Sequence, residues 1–412
     1  AAGQMAASGL RVLAFAYREL DEPVASPDDI AEPSELVFLG LQGMLDPPRE
    51  GVKDAITGCR RAGMRVLMIT GDHARTALAI GRELGIADEG DEAVTGAELE
   101  EVSDEALREV VRRVSIFARV SPEQKLRVVN ALREDGEVVA VTGDGVNDAP
   151  ALRAADIGIA MGRSWTDVAR EAADMVLADD NFVSIYAAVE EGRITFDNIR
   201  KVTFFLVSTG PSAILTILAA IVFGWDAPFL PAQLLWLNLV TNGLQDVALV
   251  FEPGEKDVLE RPPRRQREGV ISSVLWERVL LTAVVMSIGT LVLFRWEMHQ
   301  TDNLVAAQTV ALTTLVLFQM FHVGNARSEF VSVFRLSPLS NRFLFIATTA
   351  ALAVHIGALY WGPTQYVLRV EPIGLDAWAR IVAVALSIVV AVELHKFVRR
   401  GKRPSRGWRA EG

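Results

Sequence analysis

The sequence predicts an α/β domain with a parallel sheet, followed by an all-α membrane domain of six helices. Two observations lead to this fold class. Up to about Asn198 the chain is acidic and alternates short apolar strands with helical segments, whereas apolar runs of membrane length dominate the remainder. Half of the 412 residues are hydrophobic although 52 are acidic, a combination that a soluble protein would rarely show.

Charge and cysteine content exclude several kinds of function. The net charge of -11 belongs mainly to the first part of the chain and argues against a nucleic-acid partner. The single cysteine, Cys59, excludes a disulfide within the chain and a metal site built from several cysteines. No signal peptide opens the sequence, which begins as though within a longer protein.

The stretch VTGDGVNDAP, residues 141–150, is the strongest local signal in the first part. The run EVVAV before it is typical of a buried parallel strand, and ligands bind beyond the carboxyl ends of such strands. Gly143 and Gly145 permit close backbone approach or a positive φ, while Asp144 and Asp148 offer oxygen ligands that Mg²⁺ accepts beside a phosphate. The alternative is an Asx-rich turn without a ligand.

Two further loops have the same character. Thr70, Gly71 and Asp72 end the apolar run RVLMIT, and the backbone N–H groups of the helix that follows suit a phosphate. Lys125 lies on a helix whose start is indicated by the string SPE, although a lysine there could simply be solvated. Together the loops predict a phosphate site built from Thr70, Lys125 and Asp144.

Six apolar segments form the predicted membrane domain. They are Val202–Gly224, Leu234–Phe251, Val279–Phe294, Leu304–Val323, Phe343–Gly362 and Ile381–Leu394. Basic residues collect in ERPPRRQRE, in the loop before the fifth segment and in the C-terminal tail. This distribution predicts a multi-pass protein with the first domain and the C-terminus in the cytoplasm, and we expect a bacterial inner membrane.

Polar residues line the second segment. Asn238, Thr241, Asn242 and Gln245 have the i, i+3, i+4, i+7 spacing of one helix face, with Asp246 beside them. Helix packing is the alternative use of such residues, but the carboxylate favours a polar pathway.

The first segment contains a potential helix break. Gly210-Pro211 lies near its middle, and we expect the helix to be broken there, which would free carbonyl oxygens for a ligand. Ser208, Thr209 and Ser212 surround the break, and for them ligation and helix packing are equally open.

The motifs MLDPPREGV, MITGD, FARVSPEQK and TGDGVNDAPAL together resemble the phosphorylation domain of P-type cation-transporting ATPases, a haloacid dehalogenase-like fold. LLWLNLVTNGLQDVAL followed by FEPGEKDVLERPPR resembles a membrane helix and cytoplasmic loop of the same family. The resemblance extends from about Val37 to Arg399 and implies ATP and Mg²⁺ as cofactors.

The resemblance also implies roles for individual residues. Asp144 would hold Mg²⁺, Thr70 and Lys125 would contact the transferred phosphoryl group, and Asn147 and Asp148 would order the site. The full set of implied catalytic residues is Thr70, Gly71, Asp72, Lys125, Asn147 and Asp148. Cofactor binding is expected at Arg49, Thr70, Gly71 and Lys125, Mg²⁺ binding at Asp144 and Asp148, and transported-cation binding at Asn238, Thr241, Asn242 and Asp246.

In having six membrane segments after the phosphorylation domain, the chain resembles the pumps that move Ca²⁺, Na⁺, K⁺, H⁺ or Mg²⁺. The second helix and the loop after it look most like those of Ca²⁺ pumps. The ligand pattern departs from theirs. Gly210 and Ala213 stand where those pumps carry asparagine and glutamate, and Asn242 and Gln319 where they carry aspartate and glutamate. Because Ca²⁺ prefers six to eight oxygens with several charges, we expect one of two Ca²⁺ sites to be weak or missing.

The resemblance divides the chain into residues 1–36, the end of a nucleotide-binding domain and hinge; 37–190, the phosphorylation domain; 191–399, the membrane domain; and 400–412, a basic cytoplasmic tail. The family's Asp-Lys-Thr-Gly-Thr motif with its phosphorylated aspartate does not occur. We therefore expect a C-terminal fragment or split-pump half, inactive alone, whose partners are a cation, the bilayer and an N-terminal part. The alternatives are a non-transporting membrane protein with a degenerate phosphatase-like regulatory or binding domain, and a membrane-anchored phosphatase.

Overall fold

A computed structural model describes residues 1–7, 10–19, 34–44, 47–162, 167–264 and 269–399. The chain forms two compact units, the first made of residues 1–190 and 259–263 and the second of 191–258 and the residues from 264 onward. The predicted tail at 400–412 lies outside the described residues, as do parts of the 1–36 segment and of the basic loop ERPPRRQRE.

The described residues of the first unit form an antiparallel pair and two parallel sheets of three strands. Strand β1 (Arg11–Tyr17) pairs with β2 (Val37–Met44) across the predicted boundary at residue 36. One parallel sheet has the order β3-β5-β4 and the other the order β6-β7-β8. Their bounds are β3 (Met68–Thr70), β4 (Val94–Thr95), β5 (Ile116–Ala118), β6 (Ala140–Gly143), β7 (Ile157–Met161) and β8 (Met175–Leu177).

Helices alternate with these strands, as the sequence predicts. They are α1 (Ala2–Ala7), α2 (Val52–Arg61), α3 (Ala74–Leu84), α4 (Gly96–Glu101), α5 (Asp104–Arg113), α6 (Pro122–Glu134), α7 (Ala149–Ala154) and α8 (Asp167–Ala172). The α/β fold class with parallel strands is therefore confirmed.

The two parallel sheets share one hydrophobic core. Ile69 of β3 and Val141 of β6 both pack against a buried cluster that includes Val128 and Leu132 of α6. Because α6 covers both sheets, the loops that follow β3 and β6 belong to one folded domain.

The second unit is helical. Its long helices are α9 (Phe182–Val222, which begins before the unit boundary), α12 (Ser273–Thr301), α13 (Leu304–Ala326), α14 (Arg342–Tyr360) and α16 (Leu375–Arg399), with the short α15 (Gly362–Leu368) before the last. Among the described residues, these five long helices have the length and apolar composition needed to cross a membrane. In α13, 78% of the most apolar stretch is buried, against 28 to 50% in the other four, so α13 is the central helix of the bundle.

The second predicted membrane segment is helical but divided. It consists of α10 (Pro231–Leu237), a π-helical turn (Asn238–Asn242) and α11 (Gly243–Val250). π turns are rare and often occur at functional sites. This one contains three of the predicted cation-binding residues.

The predicted break at Gly210-Pro211 is wrong, because α9 continues through it without interruption. The neighbouring hydroxyls donate to carbonyls of the same helix: Ser208 Oγ to Phe204 O and Ser212 Oγ to Thr209 O, both at 2.6 Å. These buried serines therefore satisfy their own hydrogen bonds, which favours the packing alternative over ligation.

Candidate phosphate and cation sites

The loop after β3 is folded by its own side chains. The hydroxyl of Thr70 accepts a hydrogen bond from the Asp72 backbone N–H at 3.1 Å and donates to Asp72 Oδ2 at 3.3 Å. A Cβ placed on Gly71 would meet no atom within 4 Å, so this side of the turn is open. The turn thus presents Thr70 and Gly71 at the carboxyl end of the strand.

The loop after β5 is tied to that turn. The backbone N–H of Arg119 donates to Asp72 O at 3.1 Å, and that of Val120 donates to Thr70 O at 3.2 Å. Ser121 then caps α6 in a capping box with Gln124, and Pro122 occupies the first turn, as the SPE signal predicts. Lys125 thus lies in the first turn of α6, directly after the loop that is bonded to the Thr70 turn.

Lys125 is joined to the third loop by an ion pair. Its Nζ lies 2.7 Å from Asp148 Oδ1, and both side chains are mostly buried. The second oxygen, Oδ2, accepts the backbone N–H groups of Asp144 and Gly145, each at 3.3 Å. Asp148 therefore fixes both the lysine and the loop that carries Asp144.

Close approach explains one of the two loop glycines. A Cβ on Gly143 would lie 2.4 Å from the Cβ of Asp148, so no larger residue fits there. A Cβ on Gly145 would lie at ordinary contact distances, 3.7 Å from Asp148 Oδ2. Neither glycine has a positive φ, so Gly143 serves close packing and not an unusual backbone conformation.

The carboxylate that remains free is that of Asp144. It is exposed and makes no side-chain hydrogen bond within the described ranges, whereas both oxygens of Asp148 are engaged. The Asn147 side chain is likewise exposed. No cluster of three or more His, Cys, Asp or Glu side chains suited to a metal occurs among the described residues. This donor set fits Mg²⁺, which commonly takes one or two carboxylates and completes its shell with water and phosphate oxygens.

Arg49 does not join this group through any contact within the described part of the chain. Its guanidinium donates to the backbone carbonyl of Asp180, a buried residue. A sequence cannot show that an arginine is bound to a carbonyl 131 positions away.

In the membrane domain, Thr241 faces inward. Its hydroxyl lies 2.5 Å from Leu237 O and also hydrogen-bonds Gln319 Oε1 on α13, and Thr241 and Gln319 are both fully buried. The π turn is thus joined directly to the central helix.

The remaining stripe residues differ in how exposed they are. Asn238 is exposed, and its Oδ1 accepts Asn242 Nδ2 at 3.0 Å. Gln245 is fully buried, while Asp246 is partly buried with Oδ1 enclosed and without a partner among the described residues.

Sequence reasoning assigned no role to two buried histidines of the neighbouring helices, His322 and His355. His322 of α13 lies between the rings of Phe204 and Phe205, with ring centroids 5.3 and 5.9 Å away. His355 of α14 hydrogen-bonds Trp236 of α10 and Thr313 of α13. Their position within apolar runs was the sequence signal that could have identified them, because a polar side chain inside a membrane is energetically costly.

Comparison with known families and proteins agrees with this arrangement. Residues 226–398 match the family model "Cation transporting ATPase, C-terminus", and residues 12–156 and 125–189 match two models of haloacid dehalogenase-like hydrolases. The calcium-transporting ATPase of Bacillus subtilis is 41% identical over 92% of this chain. The chain belongs to the P-type cation-transporting ATPases.

Other members of the P-type ATPase family are equally similar. The chain is 44% identical over 93% of its length to a probable cation-transporting ATPase F of Mycobacterium tuberculosis, and 42% identical over 97% to calcium-transporting ATPase 1 of Schizosaccharomyces pombe. It spans 43 to 44% of the length of these relatives and of the Bacillus subtilis protein.

Proposed function

We propose that this chain supplies the Mg²⁺- and phosphate-holding part of an ATP-driven cation pump, together with part of its cation path. The observation that carries the proposal is the double use of Asp148. It pairs with Lys125 at 2.7 Å and holds the Asp144 loop by two backbone N–H groups, which leaves Asp144 free for a metal.

In this proposal the chain's own residues position and neutralise a phosphoryl group. Thr70 and the Gly71 backbone bind its oxygens, Lys125 balances its charge, and Asp144 holds Mg²⁺. Bound Mg²⁺ would supply charge neutralisation at the phosphate oxygens. Asp148 keeps Lys125 in place and, with Asn147, orders the loop that carries Asp144.

We infer that the nucleophilic aspartate lies on a strand outside this sequence. Within the described residues β3 and β6 each pair on one side only, and each leads into a site loop. An added parallel strand at these edges would bring its carboxyl end to the same loops. This chain alone should accordingly give no acid-stable phosphoenzyme from labelled ATP.

Ca²⁺ is the proposed cargo. Asn238, Thr241, Asn242 and Gln319 offer neutral oxygens of the kind that Ca²⁺ binds, and Asp246 is the one carboxylate between residues 231 and 250. Placing a carboxylate within a membrane costs about 2.5–3.5 kcal/mol of free energy, and a bound cation would offset this cost for Asp246. Two relatives named as calcium-transporting ATPases support this choice.

The exposed side of the stripe suggests that further membrane helices of the pump cover Asn238. The basic loops suggest a cytoplasmic first domain and C-terminus, with a bacterial inner membrane as the proposed location.

Transport assays on inside-out vesicles that contain the complete pump would test this function. We expect ATP-dependent Ca²⁺ uptake, and a Ca²⁺ concentration for half-maximal uptake that rises at least about five-fold in Asp246→Asn. Asp302→Asn is the matched control, because Asp302 is exposed at the end of α12. Absence of ATP-dependent uptake of every cation tried would overturn the proposal, and uptake of a different cation would overturn the assignment of Ca²⁺.

A further inference from the structure

Three helices of the membrane domain meet at one buried histidine. Trp236 Nε1 of α10 lies 3.2 Å from His355 Nδ1 of α14, and His355 Nε2 lies 3.1 Å from Thr313 Oγ1 of α13. His355 and Thr313 are fully buried. The contacts form a relay from Trp236 through His355 to Thr313.

The donors and acceptors fix the state of the imidazole. An indole N–H can only donate, so His355 Nδ1 must accept from Trp236. The ring proton is then on Nε2, which donates to the hydroxyl oxygen of Thr313. Because both ring nitrogens are used, the neutral ring is held in one tautomer and one orientation.

The relay lies next to the π turn. Trp236 is two residues before Asn238, where the α-helix gives way to the turn, and Thr241 inside the turn bonds Gln319. Trp236 and Thr241 are about 7.5 Å apart along an α-helix, and their partners Thr313 and Gln319 on α13 are about 9 Å apart. The two connections therefore run in the same order and bracket the start of the turn.

We propose that His355 is a positioning residue for the cation path, which holds Trp236 against α13 so that the π turn presents Asn238, Thr241 and Asn242 in register with Gln319. This inference rests on the transport function proposed above. His355 touches neither cation nor phosphate and acts through the position of α10. An apolar ring could fill the same space, but it would leave the Trp236 N–H and the Thr313 hydroxyl without their partner.

Cation dependence of uptake in the complete pump separates a positioning role from a purely structural one. His355→Phe should raise the Ca²⁺ concentration for half-maximal uptake at least about five-fold while the maximal rate falls less than two-fold. His355→Gln should restore the wild-type value, because a glutamine amide can accept from Trp236 and donate to Thr313. Trp236→Phe should match His355→Phe, and the double variant should be no worse than either alone.

Trp378→Phe is the control, because it removes another indole hydrogen bond of the bundle, that from Trp378 to the hydroxyl of Tyr360 at 3.4 Å. If His355→Phe does not fold, Trp236→Phe and Thr313→Val each break one end of the relay and should raise the Ca²⁺ concentration for half-maximal uptake in the same way. If the wild-type pump transports Ca²⁺ and these variants have the same half-maximal Ca²⁺ concentration as the wild type, the positioning role alone is overturned. A wild type that transports no cation would instead overturn the proposed function on which it rests.

Discussion

Asp148 binds Lys125 with one carboxylate oxygen and the backbone of the Asp144 loop with the other. One side chain thus sets the relative positions of the proposed phosphate-binding cation and the proposed metal-binding loop. Only 22% and 13% of the two side chains are accessible, so the ion pair fixes the geometry of the site within a largely enclosed part of the domain.

Replacement of Lys125 should therefore impair chemistry more than folding. Lys125→Met keeps an unbranched side chain of nearly the same length but removes the charge, and phosphoenzyme formation by the complete pump should fall at least about ten-fold. The melting temperature should change by no more than a few degrees, because Asp148 keeps its two backbone N–H donors. Lys53→Met, at an exposed position on α2, is the control, and equal phosphorylation in both variants would show that Lys125 is an ordinary surface lysine.

The two loop glycines should respond differently to alanine. Gly143→Ala forces Asp148 to move, which should destabilise the domain by about 1–3 kcal/mol and sharply lower phosphorylation. Gly145→Ala meets only ordinary contacts and should keep the fold. Thermal unfolding of the two purified pumps compares them directly, and identical melting temperatures would contradict the close packing of Gly143 and Asp148.

The contact between Thr241 and Gln319 should matter for cation binding. Thr241→Val preserves shape but removes the hydroxyl, so the Ca²⁺ concentration for half-maximal uptake should rise about five-fold or more. Thr290→Val is the matched control, since the Thr290 hydroxyl of α12 is buried without a partner among the described residues. If both variants transported with wild-type affinity, Thr241 would be a packing residue only.

A surface carboxylate of the first unit gives a pH-dependent prediction. Hydrogen bonds from Arg112 to both oxygens of Asp135, at 3.0 and 2.9 Å, hold the pKa of Asp135 below its ordinary value of 3.8. A lowered carboxyl pKa stabilises the folded state above the ordinary value, and this contribution is lost as the pH falls through the folded-state pKa. Asp135→Asn should consequently lower the melting temperature slightly at pH 7, and the difference from wild type should shrink below pH 3.8. A difference that grew in acid would contradict the sign of the shift.

Much of the first unit could be predicted because local signals set it. The strand-loop-helix pattern and the capping signal before Lys125 are properties of short stretches, and α6 begins where they indicate. The use of both Asp148 oxygens, and of Arg49 on a distant carbonyl, depends on tertiary packing. No local pattern in the sequence contains that information.

The membrane domain shows the limits more clearly. Pro211 indicated a break, yet α9 is continuous, because surrounding helices and side-chain hydroxyls tolerate proline in a buried helix. The π turn at Asn238–Asn242 could not be predicted, since its residues also fit an ordinary α-helix. Within this turn Thr241 meets Gln319 while Asn238 is exposed, a difference that the polar pattern alone does not indicate.

Radioactive labelling of the complete pump with ATP, followed by acid quench in the presence of Ca²⁺, tests most directly whether the Asp144 loop is a metal and phosphate site. Wild type should form an acid-stable phosphoenzyme, and Asp144→Asn should reduce it at least about ten-fold without loss of expression. Glu137→Gln, an exposed carboxylate before the opposite end of β6, should label like wild type. Full labelling of Asp144→Asn would contradict the proposed site and leave Asp144 as a residue of a surface turn.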